Sequence, residues 1–184
     1  MSILIDENTK FIIQGITGKQ GTRSTIDMLA SGSKLVAGVT PGKGGQQVEG
    51  VPVFNSIKEA QEIVGEINCS VVMVPPRFAK GAVVEAIEAG ILLINIITEN
   101  IPIHDMAECL KLAKEKNVRI IGATSAGIYS VGKSKCGPVA SGKSKIALSK
   151  GSVGIISRSG GMSCETALVL TQAGLGQSTI VRVG

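Results

Sequence analysis

The chain has 184 residues, of which 43% are hydrophobic, with 24 glycines, four aromatic side chains and a formal net charge of +5. That length holds one full-sized domain and part of a second, with a core of Val, Ile, Leu and Ala under many tight turns, as buried parallel strands require. Scarce aromatics and the lack of a recognition motif argue against nucleic acid, Asp6 and Glu7 near the start argue against a signal peptide, and no apolar run is long enough to span a membrane.

In chain order, residues 11–14, 35–39, 70–74, 92–97 and 119–121 read as short buried strands alternating with helix-period segments. Ala82, Val83, Ala86 and Ile87 form one helical face, closed by Gly90 as a C-cap, and Ile103, Met106, Ala107, Leu110 and Ala113 form another. About five parallel strands with helices to cover them predict an α/β domain over residues 1–127, a Rossmann-like doubly wound parallel sheet. Residues 128–150 follow as a basic linker with five lysines and no acid. The charge is accordingly uneven: residues 1–99 hold ten acids and eight bases, and residues 100–184 four acids and eleven bases. A solvated loop accounts for such a segment, and so does a surface for an acidic partner or phosphorylated ligand.

Over residues 151–184 a strand (153–156), a helix (162–173) and a strand (179–183) repeat the pattern once. A unit that small buries too little surface to stand alone. It is expected either to pack on the first domain or to open a second, incomplete α/β domain. Its helix is apolar almost all round from Ala167 to Leu170 and is expected to be buried. Cys69, Cys109, Cys136 and Cys164 are spaced by 40, 27 and 28 residues, with no CxxC pair and one histidine in the chain. Reduced thiols and no metal site are the expectation.

The first strand runs into Gly15-Ile16-Thr17-Gly18-Lys19-Gln20-Gly21 and then a helix, so backbone N–H groups and a helix N-terminus face the strand end, as an anion site requires. The spacing is GxxGxxG, unlike the GxGxxG of dinucleotide enzymes. After the second strand an NAD enzyme carries an acid for the ribose hydroxyls. Here the segment is Val39-Thr40-Pro41-Gly42-Lys43-Gly44-Gly45, and Lys43 suits a phosphorylated ribose, which points to coenzyme A or NADP. Two more strand ends, Val74-Pro75-Pro76 and Ile97-Thr98-Glu99, lie where doubly wound sheets bind ligands. The prolines there make a stiff apolar edge suited to adenine or pantetheine. Ser157-Arg158-Ser159-Gly160-Gly161 leads into the last helix, whose N-terminus suits a phosphate.

Residues 6–10, ITGKQG at 16–21, VTPGKGG at 39–45, VPVF at 51–54, ITENIP at 97–102 and SRSG at 157–160 occur in an order and spacing that resemble the alpha subunits of succinyl-CoA synthetases. The resemblance covers essentially the whole chain. It implies a CoA-binding domain in which Thr17, Gly18, Lys19, Gln20, Lys43, Pro75, Ile97, Thr98 and Glu99 meet the coenzyme, followed by the start of a flavodoxin-like ligase domain. It further implies a hetero-oligomer with an ATP-grasp beta subunit that carries ATP or GTP with Mg2+. The activity would be acid–CoA ligation through an acyl phosphate and a phosphohistidine, with Ser157, Ser159, Gly160 and Gly161 cradling the phosphate. A cytoplasmic location, or the mitochondrial matrix after processing, goes with that family.

Three departures qualify the match. The family's phosphohistidine lies in a GHAGA-like segment absent here, and the single histidine, His104, stands at a helix start with no catalytic role expected. Ala123-Thr124-Ser125-Ala126 replaces the family's PNCP near the CoA thiol. Cys164 replaces a tyrosine near the acid carboxylate, and the GGMS run resembles ATP citrate lyase. Succinate is therefore the default acid, with a bulkier citrate or malate expected to be tolerated. A free-standing CoA-binding module and an NADP-dependent oxidoreductase domain are the alternatives.

Overall fold

The computed structural model describes residues 3–140 and 148–184; residues 141–147, inside the expected linker, lie outside the described residues. The strands β1 (Lys10–Gln14), β2 (Lys34–Val39), β3 (Gln47–Val48), β4 (Val51–Phe54), β5 (Cys69–Val72), β6 (Leu93–Ile96) and β7 (Arg119–Ile121) form one sheet in the order β3-β4-β2-β1-β5-β6-β7. Apart from the antiparallel β3–β4 pair, all neighbours run parallel. Leaving out that two-residue strand, the order is that of a doubly wound dinucleotide-binding sheet, with its crevice where β1 meets β5. β3, β4 and the helix α2 (Ile57–Val64) have no counterpart among the strands and helices expected from sequence. The two strands are too short for an alternating pattern to register.

Residues alternate between the two sheet faces, and each face has a different cover. Ile12, Ala37, Val72, Ile94 and Ile96 pack with Ile57 and Ala60 of α2, Val83, Ala86 and Ile87 of α3 (Pro76–Glu88), and Cys109 and Ala113 of α4 (Ile103–Glu115). Phe11, Ile13, Leu35, Val71 and Leu93 point the other way, where the only helix among the described residues is α1 (Lys19–Ala30), which contributes Met28. The rest of that face is closed by Ile128, Cys136 and Val181, which belong to a second sheet.

That second sheet corrects the expected linker. Its strands β8 (Gly127–Ser130), β9 (Ser134–Cys136), β10 (Lys150–Ser157) and β11 (Gln177–Arg182) lie in the order β10-β11-β8-β9, so residues 127–130 and 134–136 are strands joined by a turn. Two contacts pin β9 to the first sheet. The Ser33 hydroxyl donates to the Lys135 carbonyl and accepts from the Lys135 N–H, both at 2.8 Å, and the buried Cys69 and Cys136 sulfurs lie 3.8 Å apart. All four cysteines are free and buried. Among the described residues no helix is long and apolar enough to cross a membrane.

The last helix, α5 (Gly160–Gln172), differs from expectation as well. Only Ser163, Cys164 and Ala167 are buried, Ala167 against Val139, Ile155 and Ile180 and the other two against Arg182, while Met162 and Val169 are each 62% exposed. One helix on a four-stranded sheet has a single inner face. Nothing among the described residues covers its apolar outer side.

Because Ile128 sits fully buried against the first sheet, Ile128→Ala is expected to destabilise the whole chain by about 2–5 kcal/mol. Denaturant melts followed by far-UV circular dichroism should show one shifted transition. A separate early transition would mean that the second sheet unfolds on its own.

Candidate functional site

Beyond β1 the chain turns through Gly15 at φ +88°, a conformation open to glycine. The Gly18 N–H donates to the Gly15 carbonyl at 3.1 Å, and α1 begins at the next residue. A β-carbon on Gly21 would overlap the carbonyl oxygens of Gly15 and Ile16, so the first turn of α1 can lie directly on the end of β1 only with glycine there. Gly18, the N-cap, has no side chain to cap with, and the first turn holds no acid. The leading N–H groups of α1 and its positive dipole end are therefore available to an anion.

Thr17 donates its hydroxyl to the Thr40 hydroxyl at 3.2 Å, which ties this turn to the end of β2; Thr40 in turn donates to the Val39 carbonyl at 2.8 Å. The loop beyond Thr40 is held by Asn55, whose Oδ1 accepts from the N–H groups of Gly42 at 2.9 Å and Gly44 at 3.1 Å. Lys43 is thereby fixed in backbone, with its N–H donated to the Thr40 carbonyl at 3.0 Å and its side chain exposed.

Three cavities run along these strand ends. The first, about 630 Å³, lies between Thr17 and Gly18, Pro41, Pro75 and the first turns of α3, where Phe78, Ala82 and Glu85 face it. The second, about 480 Å³, lies between Lys19, Gln20, Pro75, Ile97, Thr98 and Glu99. The third, about 370 Å³, is walled by Gln20, Arg23, Ile97, Glu99, Thr124, Ser125 and Ala126. Gly18, Val74 and Pro75 are common to the first two, and Gln20, Ile97 and Glu99 to the last two, so they form one groove.

Of the residues expected to bind a ligand, Thr17, Gly18, Lys19, Gln20, Pro75, Ile97, Thr98 and Glu99 all line this groove. Lys43 is outside the lining, on the loop beyond Pro41. The reading from sequence missed Gln14, Arg77, Phe78 and Glu85. Glu85 is held by two donors, the Ile57 N–H at 2.8 Å and Gln14 Nε2 at 3.0 Å, and Ser70 donates to Gln14 Oε1 at 2.8 Å. The Arg77 guanidinium lies 4.7 Å above the Phe78 ring. An acid within the apolar face of Ala82, Val83 and Ala86, and an amide closing an apolar strand, were the available signals.

His104 is remote from this chemistry. Its ring is 85% exposed on α4 and pairs with Glu108 at 2.8 Å, while the Lys80 ammonium 2.6 Å from Glu108 holds that carboxyl below its ordinary value.

Around the start of α5 Ser157, Ser159 and Cys164 all make local hydrogen bonds. Ser159 Oγ accepts from the Met162 N–H at 3.3 Å as the helix cap, and Ser157 Oγ accepts from the Ser159 N–H at 3.1 Å and donates to its carbonyl at 3.2 Å. Ser157 Oγ both accepts and donates within the turn, whereas Ser159 Oγ only accepts, so its O–H and the N–H groups of Gly160 and Gly161 are the donors left at the helix start. Cys164 is buried, its sulfur 2.7 Å from Arg182 Nη2. The groove and this helix end are joined through Ser125, whose hydroxyl donates to the Arg182 carbonyl at 2.5 Å and accepts from the Gly127 N–H at 3.1 Å.

A family model described as CoA binding domain matches residues 6–100. The chain is 49% identical over 186 residues to the succinate–CoA ligase (ADP-forming) subunit alpha 2 of Archaeoglobus fulgidus, covering 100% of this chain and 62% of that protein. It is 45% identical over 186 residues to the corresponding alpha subunit of Aquifex aeolicus, covering 100% of this chain and 59% of that one. The chain thus spans about three-fifths of the length of these curated relatives. Among solved structures, ATP citrate lyase from Methanothrix soehngenii in complex with citrate and coenzyme A superposes with a TM-score of 0.87 at 23% identity, over 99% of this chain and 32% of that one. A Pyrococcus horikoshii OT3 protein, PH0766, superposes at 0.74 with 24% identity, over 97% and 41%. Likeness at that level of identity shows a shared fold.

If contact of α1 with β1 depends on the bare Cα at residue 21, Gly21→Ala is expected to lower stability by about 1–3 kcal/mol through overpacking. Gly81→Ala, in α3 with open space around it, should instead raise stability by about 0.5–1 kcal/mol. Urea titration of the two variants checks both signs.

Proposed function

The chain belongs to the CoA-binding domain family, and from that premise we propose that it binds coenzyme A along the strand-end groove as the alpha-type part of an acid–CoA ligase. The observation that carries the proposal is the unbroken groove from Pro41 and Phe78 to Ser125, with an uncapped helix N-terminus at its middle. Its shape suits a long ligand with an aromatic head, charged phosphates and a thin apolar tail. The adenine fits the first cavity, against Pro41, Pro75 and Phe78, where the fixed Glu85 carboxylate favours an amino group and repels a phosphate. The pyrophosphate fits the N–H groups at the start of α1 near Lys19, and the pantetheine follows Pro75, Ile97 and Glu99 toward Ser125. Lys43, exposed on its Asn55-held loop beside Pro41, reaches a ribose 3′-phosphate from outside the groove. The thiol supplies the acyl-accepting chemistry once the coenzyme is bound; the chain's own part is to bind, extend and orient it.

For the complete enzyme we infer a carboxylic acid, coenzyme A and a nucleoside triphosphate as substrates, an ATP-grasp beta subunit as partner carrying ATP or GTP with Mg2+, and an acyl phosphate and phosphohistidine as intermediates. The whole-length likeness to succinate–CoA ligase alpha subunits supports this. So does α5, whose N–H groups at Gly160 and Gly161 suit a phosphoryl group. A cytoplasmic location accords with four free thiols and with bacterial and archaeal relatives. Succinate is the default acid, and Cys164, next to that helix start, leaves room for citrate or malate.

Calorimetry tests the coenzyme. Coenzyme A is expected to bind more tightly than dephospho-CoA, and Lys43→Ala should cost about 1–3 kcal/mol of that affinity and abolish the preference. Equal affinity for the two, or tighter binding of NADPH, would overturn the assignment. Assays of the complete enzyme with its beta partner test the acid: Cys164→Tyr is expected to depress turnover of citrate and malate relative to succinate, whereas strict succinate specificity unchanged by that substitution removes Cys164 from the substrate site.

A further inference from the structure

Arg182 closes β11 with only 6% of its surface exposed, and among the described residues no carboxylate lies within ion-pairing distance of it. Its hydrogen-bond acceptors are Ser163 Oγ at 2.7 Å from Nε and Cys164 Sγ at 2.7 Å from Nη2. Ser163 is itself fixed, donating to the Gly160 carbonyl at 2.9 Å. Burying a guanidinium without an opposite charge is unfavourable, and an anion binding beside it relieves the penalty.

The remaining nitrogen shows where such an anion would sit. Nη1 lies 3.5 Å from the position a β-carbon on Gly160 would take, and Gly161 faces open space. Gly160 and Gly161 are the first two residues of a 13-residue helix, with N–H groups that have no intrahelical acceptor and a dipole that favours negative charge. A buried cation and two backbone donors thus converge on one end of α5.

We propose that Arg182 is an anion-binding residue that, with the N–H groups of Gly160 and Gly161, holds a phosphoryl group. This rests on the phosphate cradle inferred above and adds the group that supplies its positive charge. The geometry favours a tetrahedral dianion over a carboxylate. The side-on edge of the guanidinium, Nε with Nη2, which grips carboxylates in a fork, is already spent on Ser163 and Cys164. The two N–H groups of Nη1 are left for a phosphoryl oxygen, while other oxygens of the same group meet the helix N–H groups. Arg182 also ties this end to the groove, because its carbonyl accepts from Ser125.

The test is a titration of inorganic phosphate into the 15N-labelled chain saturated with coenzyme A, following the amides of Gly160 and Gly161 and the Arg182 Nε–H signal. All three are expected to shift with one midpoint. Arg182→Gln should raise that midpoint about ten- to a hundred-fold, the worth of a hydrogen bond to a charged group, with Arg182→Lys between, while coenzyme A affinity is retained in both. If glycine amides shift with the same midpoint in Arg182→Gln, or if the Arg182 signal of the unmutated protein stays still, the role of Arg182 falls and the backbone cradle survives. If phosphate moves neither glycine, both fall, and if citrate binds there more tightly than phosphate the ligand class is wrong. The Nε–H arm reads the unmutated protein, so it decides the matter even where a variant fails to fold.

Discussion

The contact between the first turn of α1 and the carbonyl groups of Gly15 and Ile16 is possible only without a β-carbon at residue 21, and the groove depends on it. Set down on the end of β1, α1 brings its uncapped N–H groups level with the carboxyl ends of β5 and β6. Lifted by a methyl group, the same helix would carry those donors away from Pro75 and Ile97. Gly15 makes the turn and Gly21 allows the close approach. Neither contributes a functional side chain.

A second constraint concerns area. Among the described residues three helices cover one face of the seven-stranded sheet, and α1 alone serves the other. The period-2 alternation of β1, β5 and β6 exposes Phe11, Ile13, Val71 and Leu93 on that thinly covered face, where bare apolar surface costs roughly 25 cal/mol per Å². β8, β9 and the end of β11 fill the gap with Ile128, Cys136 and Val181. Packing of the second sheet is thus a requirement of the first domain's core, and it sets the last helix beside the far end of the groove through Ser125 and Arg182.

Two helix N-termini in this molecule are finished differently, and the difference follows from local sequence. At α1 the cap is glycine, no side-chain oxygen satisfies the leading N–H groups, and the first turn has no acid. At α5 Ser159 caps the Met162 N–H, so fewer backbone donors remain and a buried guanidinium stands next to them. An extended ligand with several phosphates suits the first arrangement. A compact, doubly charged group suits the second.

Much of the site could be read from sequence, because its backbone parts are local. The glycine turn after β1, Pro75 after β5 and Ile97 to Glu99 after β6 each follow a recognisable buried strand, and parallel strands in doubly wound order must bring those ends together. Tertiary structure decided what depends on partners distant in the chain. Residues 128–136 read as part of a basic connection because Lys133 and Lys135 mask a short strand pair, and only the thinly covered face of the first sheet makes strands of them. Gln14 and Glu85, 71 residues apart, become a fixed pair at the groove head when α3 packs on β1. Arg182 falls within the strand expected over 179–183, and its separation from every carboxylate among the described residues arises only when β11 is enclosed between β10 and β8 under α5. Local periodicity and turn chemistry act over a few residues, whereas burial of a charge or closure of a face is settled by which surfaces meet.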